Sequence, residues 1–336
     1  GGNVWWIVAV LLAVAGISRS ALVPVHQWLP STIAAPTPVS ALLHAGVVNG
    51  AGMLLVRLAP VFGSSALATH VAFAAGALTA CYATTVMLVR SDVKGNLAWS
   101  TAGQMGFMTV QVAIGALPAA LLHIVGHGMY KAALFLGAGG SVTTHHRHHQ
   151  RPTPLVVARG VRLAVALLVP AAALWAAYAV IDPHLSTAAR VLVTVFAWGT
   201  VARAVDGWLH SAPFRPVPAV VTATIAAFAG VFAYIGGLSA VENFVDPALP
   251  GEVIHPVSTA VLVATIAVIA VVVAVVWFTP GERMREVRTR VYAFALTSAP
   301  VASELTTRGS STGVAPVPET RQIPPRVELA RATRSR

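Results

Sequence analysis

The amino-acid sequence predicts an all-α, polytopic membrane protein with about nine transmembrane helices. Hydrophobic residues make up 56% of the chain and charged residues only 10%, with a mean hydropathy of +0.75. Soluble proteins carry about 25% charged residues, and an apolar stretch of about 18 residues is long enough to suggest a membrane span. Several stretches of this chain approach or exceed that length.

The positive net charge of +11 fits a membrane protein and does not indicate nucleic-acid binding. Ten of the 22 Lys and Arg residues follow Thr279, so much of the charge belongs to a tail that membrane insertion retains in the cytoplasm. Cys81 is the single cysteine, which excludes an intrachain disulfide and a cysteine zinc cluster. The sequence has no Rossmann glycine pattern and no haem motif, so we expect no cofactor in this chain.

The first apolar run, Val4 to Ile17, is short for a full span, and a proline-rich segment follows it. Proline removes a backbone donor and clashes with the preceding helical turn, so we expect a broken helix and an irregular connection. Arg19 ends the run and fits equally a snorkelling helix end and a buried functional charge. No signal peptide or initiator methionine precedes the run, so we expect a fragment whose upstream helices are missing.

The second span begins at Thr37-Pro38, because proline fits the first turn of a helix, and is expected to continue to about Phe62. It carries His44 and Asn49 among small residues that allow close helix packing. A histidine in this setting is either a hydrogen-bonded structural residue or a member of a transport path, and the residue pattern leaves both open for His44.

Three spans follow with short links, at about 66–89, 97–117 and 118–142. The last one carries His123, His127 and Lys131, whose spacings of four and eight residues place them on one helix face. A lysine near the centre of a span costs about 2.5–3.5 kcal/mol on insertion scales, and such residues mark ion or proton paths. The preceding span supplies polar side chains that either bridge helices or line a wet path: Ser100, Thr101, Gln104 and Gln111.

Residues 143–160 form a His/Arg-rich segment in which four histidines, at 145, 146, 148 and 149, surround Arg147. The segment lacks the ordered histidine pair and carboxylate of a metal site, so we interpret it as a solvated cytoplasmic loop.

Four more spans complete a membrane region over 161–278, and Pro170 suggests a kink or a break in the first of them. Nine spans place most basic links on the side of the C-terminus, which predicts a cytoplasmic tail. That tail, residues 279–336, is basic and is expected to be largely disordered.

Two motifs reveal a family resemblance that covers residues 4–142. APTPVSALLHA at 35–45 and the histidine and lysine helix LLHIVGHGMYKAALFLGAGG at 121–140 occur in this order in the antiporter-like membrane subunits. These include subunit L of respiratory NADH-quinone oxidoreductase, the large subunit of Mrp-type sodium/proton antiporters and the membrane subunit of DAB-type inorganic carbon transporters. The stretch HAGVVNGAGMLLVR at 44–57 is most similar to the DAB-type subunit.

The resemblance implies an antiporter-like fold with discontinuous helices and a line of ionisable residues along the membrane midplane. Arg19 would take the position usually held by a lysine, His44 would match the histidine of the next helix, and His123, His127 and Lys131 would match the central relay. Arginine keeps its proton at ordinary pH, so Arg19 would tune a neighbour and not carry protons. Residues 1–142 would be the C-terminal part of the proton-conducting domain.

The predicted function is therefore a proton or sodium conducting membrane subunit that energises bicarbonate or carbon dioxide uptake, with no catalytic site of its own. The DAB-type resemblance implies a soluble zinc-containing partner with a carbonic-anhydrase-like site. The alternative is a proton-pumping subunit of a respiratory oxidoreductase or a sodium/proton antiporter, with other membrane subunits as partners. A third hypothesis is a degenerate scaffold, which Arg19 and the missing upstream helices would favour.

Overall fold

The protein is an all-helical, multi-pass membrane protein. The structure, a computed structural model, describes residues 4–138, 158–211, 216–245, 253 and 255–297, and none of these residues forms a strand. Twelve α-helices occur within these ranges: α1 Trp5–Arg19, α2 Thr37–Ala45, α3 Gly50–Arg57, α4 Ala59–Phe62, α5 Ala66–Val89, α6 Val93–Ala113, α7 Leu117–Ala138, α8 Arg159–Ile181, α9 Thr187–Ser211, α10 Pro216–Val245, α11 Thr259–Phe278 and α12 Glu282–Thr297.

Within the described ranges, seven segments are long and apolar enough to cross a membrane. They are Thr37–Arg57, Ala66–Val89, Leu117–Ala138, Arg159–Ile181, Thr187–His210, Val217–Val245 and Thr259–Val276. The other two predicted spans also form helices, but α1 has only 15 residues and α6 is more polar. Helix α6 buries 14 of its 21 residues, and the polar residues Thr101, Thr109 and Gln111 are among them.

The second span is discontinuous, which corrects the expectation of one helix from Thr37 to about Phe62. Helix α2 ends at Ala45, a 3-10 turn covers Val47–Asn49, and α3 begins at Gly50. The side-chain amide of Asn49 donates to the Ala45 carbonyl at 2.7 Å. The hydroxyl of Ser20 donates to the Val48 carbonyl at 2.8 Å. These side chains satisfy carbonyl groups at the break, which is how irregular backbone persists inside a membrane protein.

Pro170 does not break its helix. Helix α8 continues from Arg159 to Ile181 with Pro170 buried inside it, so the broken-helix alternative for this span is wrong. Helices α9 and α10 both pack against α8. Neighbouring helices allow a proline to remain within a membrane helix, because packing compensates for the lost backbone hydrogen bond.

Helix α7 lies in the middle of the helical assembly and contacts α2, α3, α6 and α10. Helix α6 is held in turn by α5, with which it forms the most extensive helix pair. Gly76 and Gly106 bring α5 and α6 together so closely that a Cβ on Gly106 would lie 2.5 Å from the Gly76 carbonyl oxygen. The face of α7 that carries the predicted relay is therefore set by packing on several sides.

The first part of the predicted tail is helical. Helix α12 covers Glu282–Thr297, and Arg288 donates to the carbonyls of Val276 at 2.6 Å and Thr279 at 3.0 Å. A basic side chain at these carbonyls caps the C-terminal end of α11 favourably. Residues 298–336 and most of the predicted His/Arg-rich loop, 143–157, lie outside the described residues.

We expect Gly106→Ala to destabilise the protein, because the added methyl group would overlap the α5 backbone at Gly76 and Ala80. Overpacking of this kind costs about 1–3 kcal/mol. Gly230→Ala is the matched control, since a Cβ there meets nothing within 4 Å and alanine favours a helix. Thermal denaturation of the purified protein should show a lower Tm only for Gly106→Ala, and equal Tm values would contradict the close α5–α6 packing.

Candidate functional site

Three of the predicted site residues line one face of α7. His123, His127 and Lys131 follow one another at intervals of four residues, so they span about 12 Å along the helix. Lys131 is only 2% exposed and His127 only 6% exposed. The helical spacing seen in the sequence therefore places the three groups on one face, and the structure buries two of them fully and His123 in part.

The ammonium group of Lys131 is held by α6 and has no carboxylate partner among the described residues. Its Nζ donates to the Leu97 carbonyl at 3.1 Å and to the Ser100 hydroxyl. The four ion pairs found in the described ranges all involve arginine and lie elsewhere. Burying an ammonium without a counter-charge is costly, and the neutral acceptors on α6 offset part of that cost.

His127 lies one turn from Lys131 and is the centre of the group. It is within electrostatic reach of His123, Lys131 and His44. Neither ring nitrogen of His127 has a hydrogen-bonding partner within the part of the chain that the structure describes. Buried polar atoms are nearly always paired with protein or water, so an imidazole in this state points to a hydrated site.

His44 reaches the same group from α2. Its ring is fully buried and stacks on Phe135 of α7, with ring centroids 4.5 Å apart and planes inclined by 19°. Both of its ring nitrogens also have no partner among the residues described. His44 thus joins the α7 residues from across the α2–α7 contact.

His123 ends the line toward the N-terminus of α7. Its Nδ1 lies 2.9 Å from Oε1 of Gln111, and its ring centroid is 5.9 Å from that of His127. A protonated Nδ1 donates to this amide oxygen, which leaves Nε2 as the second exchangeable position.

A cavity of about 830 Å³ runs along this face between α6, α7, α9 and α10. His123, His127 and Lys131 all line it. Apolar side chains such as Phe107 and Phe196 line it as well, together with polar side chains from the neighbouring helices: Asn96, Ser100, Gln104, Gln111, Thr200 and Tyr234. A cavity of this size with several polar partners can hold water.

Arg19 approaches the second span from α1. It occupies the last turn of α1 and is exposed, and its Nε lies 3.6 Å from the position of a Cβ on Gly50. Neither Arg19 nor His44 lines the cavity, and Arg19 lies beside the start of α3 at the break in the second span.

The structure adds residues to which sequence reasoning assigned no part in the site. Thr200 and Tyr234 reach the cavity from α9 and α10, and Asn49 is buried beside α7. Thr200 and Tyr234 lie on helices without a sequence signal that relates them to α7. The sequence indicated a possible role for Asn49 only through its position in the same span as His44.

The described residues contain no group of three His, Cys, Asp or Glu side chains that could hold a metal ion. The histidine cluster at 145–149 lies outside these residues.

Comparisons with known proteins agree on one family. The family model described as NADH:quinone oxidoreductase/Mrp antiporter, TM matches residues 2–201. A probable inorganic carbon transporter subunit from Hydrogenovibrio crunogenus is 48% identical over 134 residues, which is 40% of this chain and 26% of that protein. A second probable inorganic carbon transporter subunit, from Halothiobacillus neapolitanus, is 42% identical over 43% of this chain and 26% of its own length.

NADH-quinone oxidoreductase subunit L from Rhodobacter capsulatus is 41% identical over 43% of this chain and 20% of its own length. The matched region is thus about a quarter or less of each of these relatives. A chain of the solved Mrp complex from Dietzia sp. DQ12-45-1b aligns with 96% of this chain and 43% of its own length, with a TM-score of 0.45 and 20% identity.

We expect Ser100→Ala to destabilise the protein, because it removes one of two acceptors of the Lys131 ammonium. A hydrogen bond to a charged group contributes about 1.5–3 kcal/mol. Ser64→Ala is the control, since Ser64 bonds only to the Val61 carbonyl within its own turn. Chemical denaturation should show a lower unfolding free energy for Ser100→Ala than for Ser64→Ala, and the reverse order would contradict this placement of Lys131.

Proposed function

We propose that this chain, which belongs to the NADH:quinone oxidoreductase/Mrp antiporter transmembrane family, conducts protons or sodium ions through the face of α7 that carries Lys131. One observation carries the proposal. Lys131 is buried without a carboxylate among the described residues, beside two buried histidines and a cavity that both polar and apolar side chains line. Ionisable groups of this kind in membrane helices are typical of proton and ion paths.

In this proposal Lys131 holds or passes a proton and the histidines relay it. A neutral imidazole accepts a proton at one nitrogen and releases another from the second, so it can transfer charge without leaving its place. His127 lies between Lys131 and His123 on α7, and His44 approaches the same group from α2. The cavity supplies room for water along this line.

We further propose that the conducted ion energises uptake of bicarbonate or carbon dioxide. The support is the similarity to several probable inorganic carbon transporter subunits, at 40–48% identity over the matched regions. In this proposal a soluble partner with a carbonic-anhydrase-like zinc site hydrates the carbon dioxide, and the support for that partner is again the similarity to these transporter subunits. The complete protein lies in the cell membrane with a cytoplasmic C-terminus, as the basic residues after Thr279 favour.

The second candidate function is proton pumping in a respiratory oxidoreductase, or sodium/proton antiport. It is favoured by the 41% identity to NADH-quinone oxidoreductase subunit L. The same relay would serve both functions, and the partners would then be other membrane subunits. Neighbouring genes separate the two: a gene for a large zinc protein favours carbon uptake, and a set of dehydrogenase genes favours respiration.

We expect Lys131→Ala to abolish transport and leave membrane insertion intact, because it removes the buried charge without shortening α7. The test is growth in ambient air of a carbonic-anhydrase-deficient bacterium that expresses the complete reading frame and its partner gene. Met129→Ala is the matched control, since Met129 is 73% exposed on the same helix.

Rescue by the wild type and Met129→Ala, but not by Lys131→Ala, is the expected result. Full rescue by Lys131→Ala would show that transport does not require this lysine. Failure of the wild type, with both proteins detected in the membrane fraction, would favour the respiratory or antiporter function.

A further inference from the structure

Helix α12, Glu282–Thr297, presents an exposed apolar face. Val287, Val291 and Phe294 follow one another at intervals of four and three residues, which places them on one side of the helix. All three side chains are exposed. An exposed apolar face of this kind marks an interaction surface.

Two arginines border this face along one edge. Arg283 precedes Val287 by four residues, and Arg290 precedes Phe294 by four residues. Residues four apart are neighbours on a helix, so each guanidinium stands beside an apolar side chain. Thr289 lies on the opposite side of the helix, together with Glu282. Arginines at the boundary between an apolar and a polar face are typical of helices that lie in the plane of a membrane surface.

Helix α12 is held where two membrane-spanning helices end. Arg288 donates to the carbonyls of Val276 and Thr279 at the end of α11. The ring centroid of Phe294 lies 6.1 Å from that of Tyr82, which is about two turns from the C-terminal end of α5. These contacts place α12 beside the ends of α5 and α11, which is the level of the lipid headgroups.

The two edge arginines are available to an anion outside the described residues. Arg283 takes part in none of the ion pairs within the described part of the chain. Arg290 pairs with Glu286, but both side chains are exposed, and an exposed pair of this kind contributes little to stability. A guanidinium binds a phosphate group with two parallel hydrogen bonds, so phosphate competes well with this single carboxylate.

The surroundings of α12 favour lipid over a protein partner. Helix α12 follows the span Thr259–Val276, of which only 6% is buried, so the chain enters α12 directly from a segment that faces acyl chains. Charged residues are depleted in the cores of protein interfaces, whereas a narrow apolar face bordered by arginines matches the boundary between acyl chains and anionic headgroups.

We propose that α12 is an in-plane helix that binds anionic phospholipid. Val287, Val291 and Phe294 enter the boundary between headgroups and acyl chains, and Arg283 and Arg290 bind the lipid phosphates. The proposal is independent of the proposed function, because α12 contributes no residue to the cavity beside Lys131.

The first test measures which side of α12 faces the lipid. A spin label is attached to Val287→Cys or to Thr289→Cys, two exposed positions on opposite sides of the helix. Cys81→Ser, with replacement of any other cysteine of the complete protein, removes competing thiols. In vesicles of phosphatidylglycerol and phosphatidylcholine, the label at 287 should collide several-fold more often with oxygen, which concentrates among acyl chains, than with a water-soluble nickel chelate.

The label at 289 should show the opposite preference. If the nickel chelate reaches both labels equally, the apolar face is open to water in a lipid bilayer. That outcome would overturn the proposal and indicate that a protein subunit covers the face.

The second test identifies the headgroup chemistry. A fluorophore at Val287→Cys transfers energy to trace amounts of acyl-labelled phosphatidylglycerol or phosphatidylcholine, which reports the lipid next to α12. The wild-type helix should enrich phosphatidylglycerol, and Arg283→Gln with Arg290→Gln should reduce this enrichment by about fivefold for each arginine removed.

Arg283→Lys with Arg290→Lys is the matched control, because it retains both charges and should retain most of the enrichment. Glu286→Gln should raise the enrichment, since it removes the carboxylate that competes for Arg290. Equal transfer to both lipids in the arginine-containing protein would overturn the proposal. The same result follows if the glutamine variant enriches phosphatidylglycerol as strongly as the lysine variant.

Discussion

The arrangement of this protein depends on one constraint, which is the burial of the Lys131 ammonium without a carboxylate beside it among the described residues. A charge in such a place requires acceptors, and α6 supplies them through the Leu97 carbonyl and the Ser100 hydroxyl. This requirement explains why α6 is more polar than its neighbours and yet largely buried. The close α5–α6 packing at Gly76 and Gly106 then holds these acceptors in position.

The break in the second span places further polar groups against the helix that carries Lys131. Unwinding between Ala45 and Gly50 brings His44 and Asn49 toward α7, while Ser20 and Asn49 satisfy carbonyls at the break. If the second span were one continuous helix, only side chains at helical spacing would contact α7. The discontinuity adds a polar backbone segment and the Asn49 amide beside Gly128 of α7.

Much of the site could be predicted from the sequence because it lies on one regular element. The spacing of His123, His127 and Lys131 has a single meaning on a helix, and the structure places all three along the same cavity. The break at Gly46 was missed because it depends on contacts with Ser20 and Gly128, which are distant in sequence. Pro170 predicted a kink or a break, and only the break is wrong, since α8 is continuous and packs against α9 and α10.

The role of Arg19 stays a prediction. Its position in the resemblance implies a charge that tunes a neighbour, and the structure places it exposed at the end of α1 and beside Gly50. Thr200 and Tyr234 could not be predicted as site residues from the sequence. Nothing in a single sequence relates α9 and α10 to the face of α7, since that relation arises only from helix packing.

The most direct measurement is proton flux through the complete protein in proteoliposomes under an imposed pH gradient, compared between the wild type and Lys131→Arg. Arginine keeps the buried positive charge but holds its proton at ordinary pH. If Lys131 exchanges a proton during conduction, flux should fall at least tenfold in Lys131→Arg while the protein remains folded. Wild-type flux in this variant would show that Lys131 acts only as a fixed charge and would contradict the account.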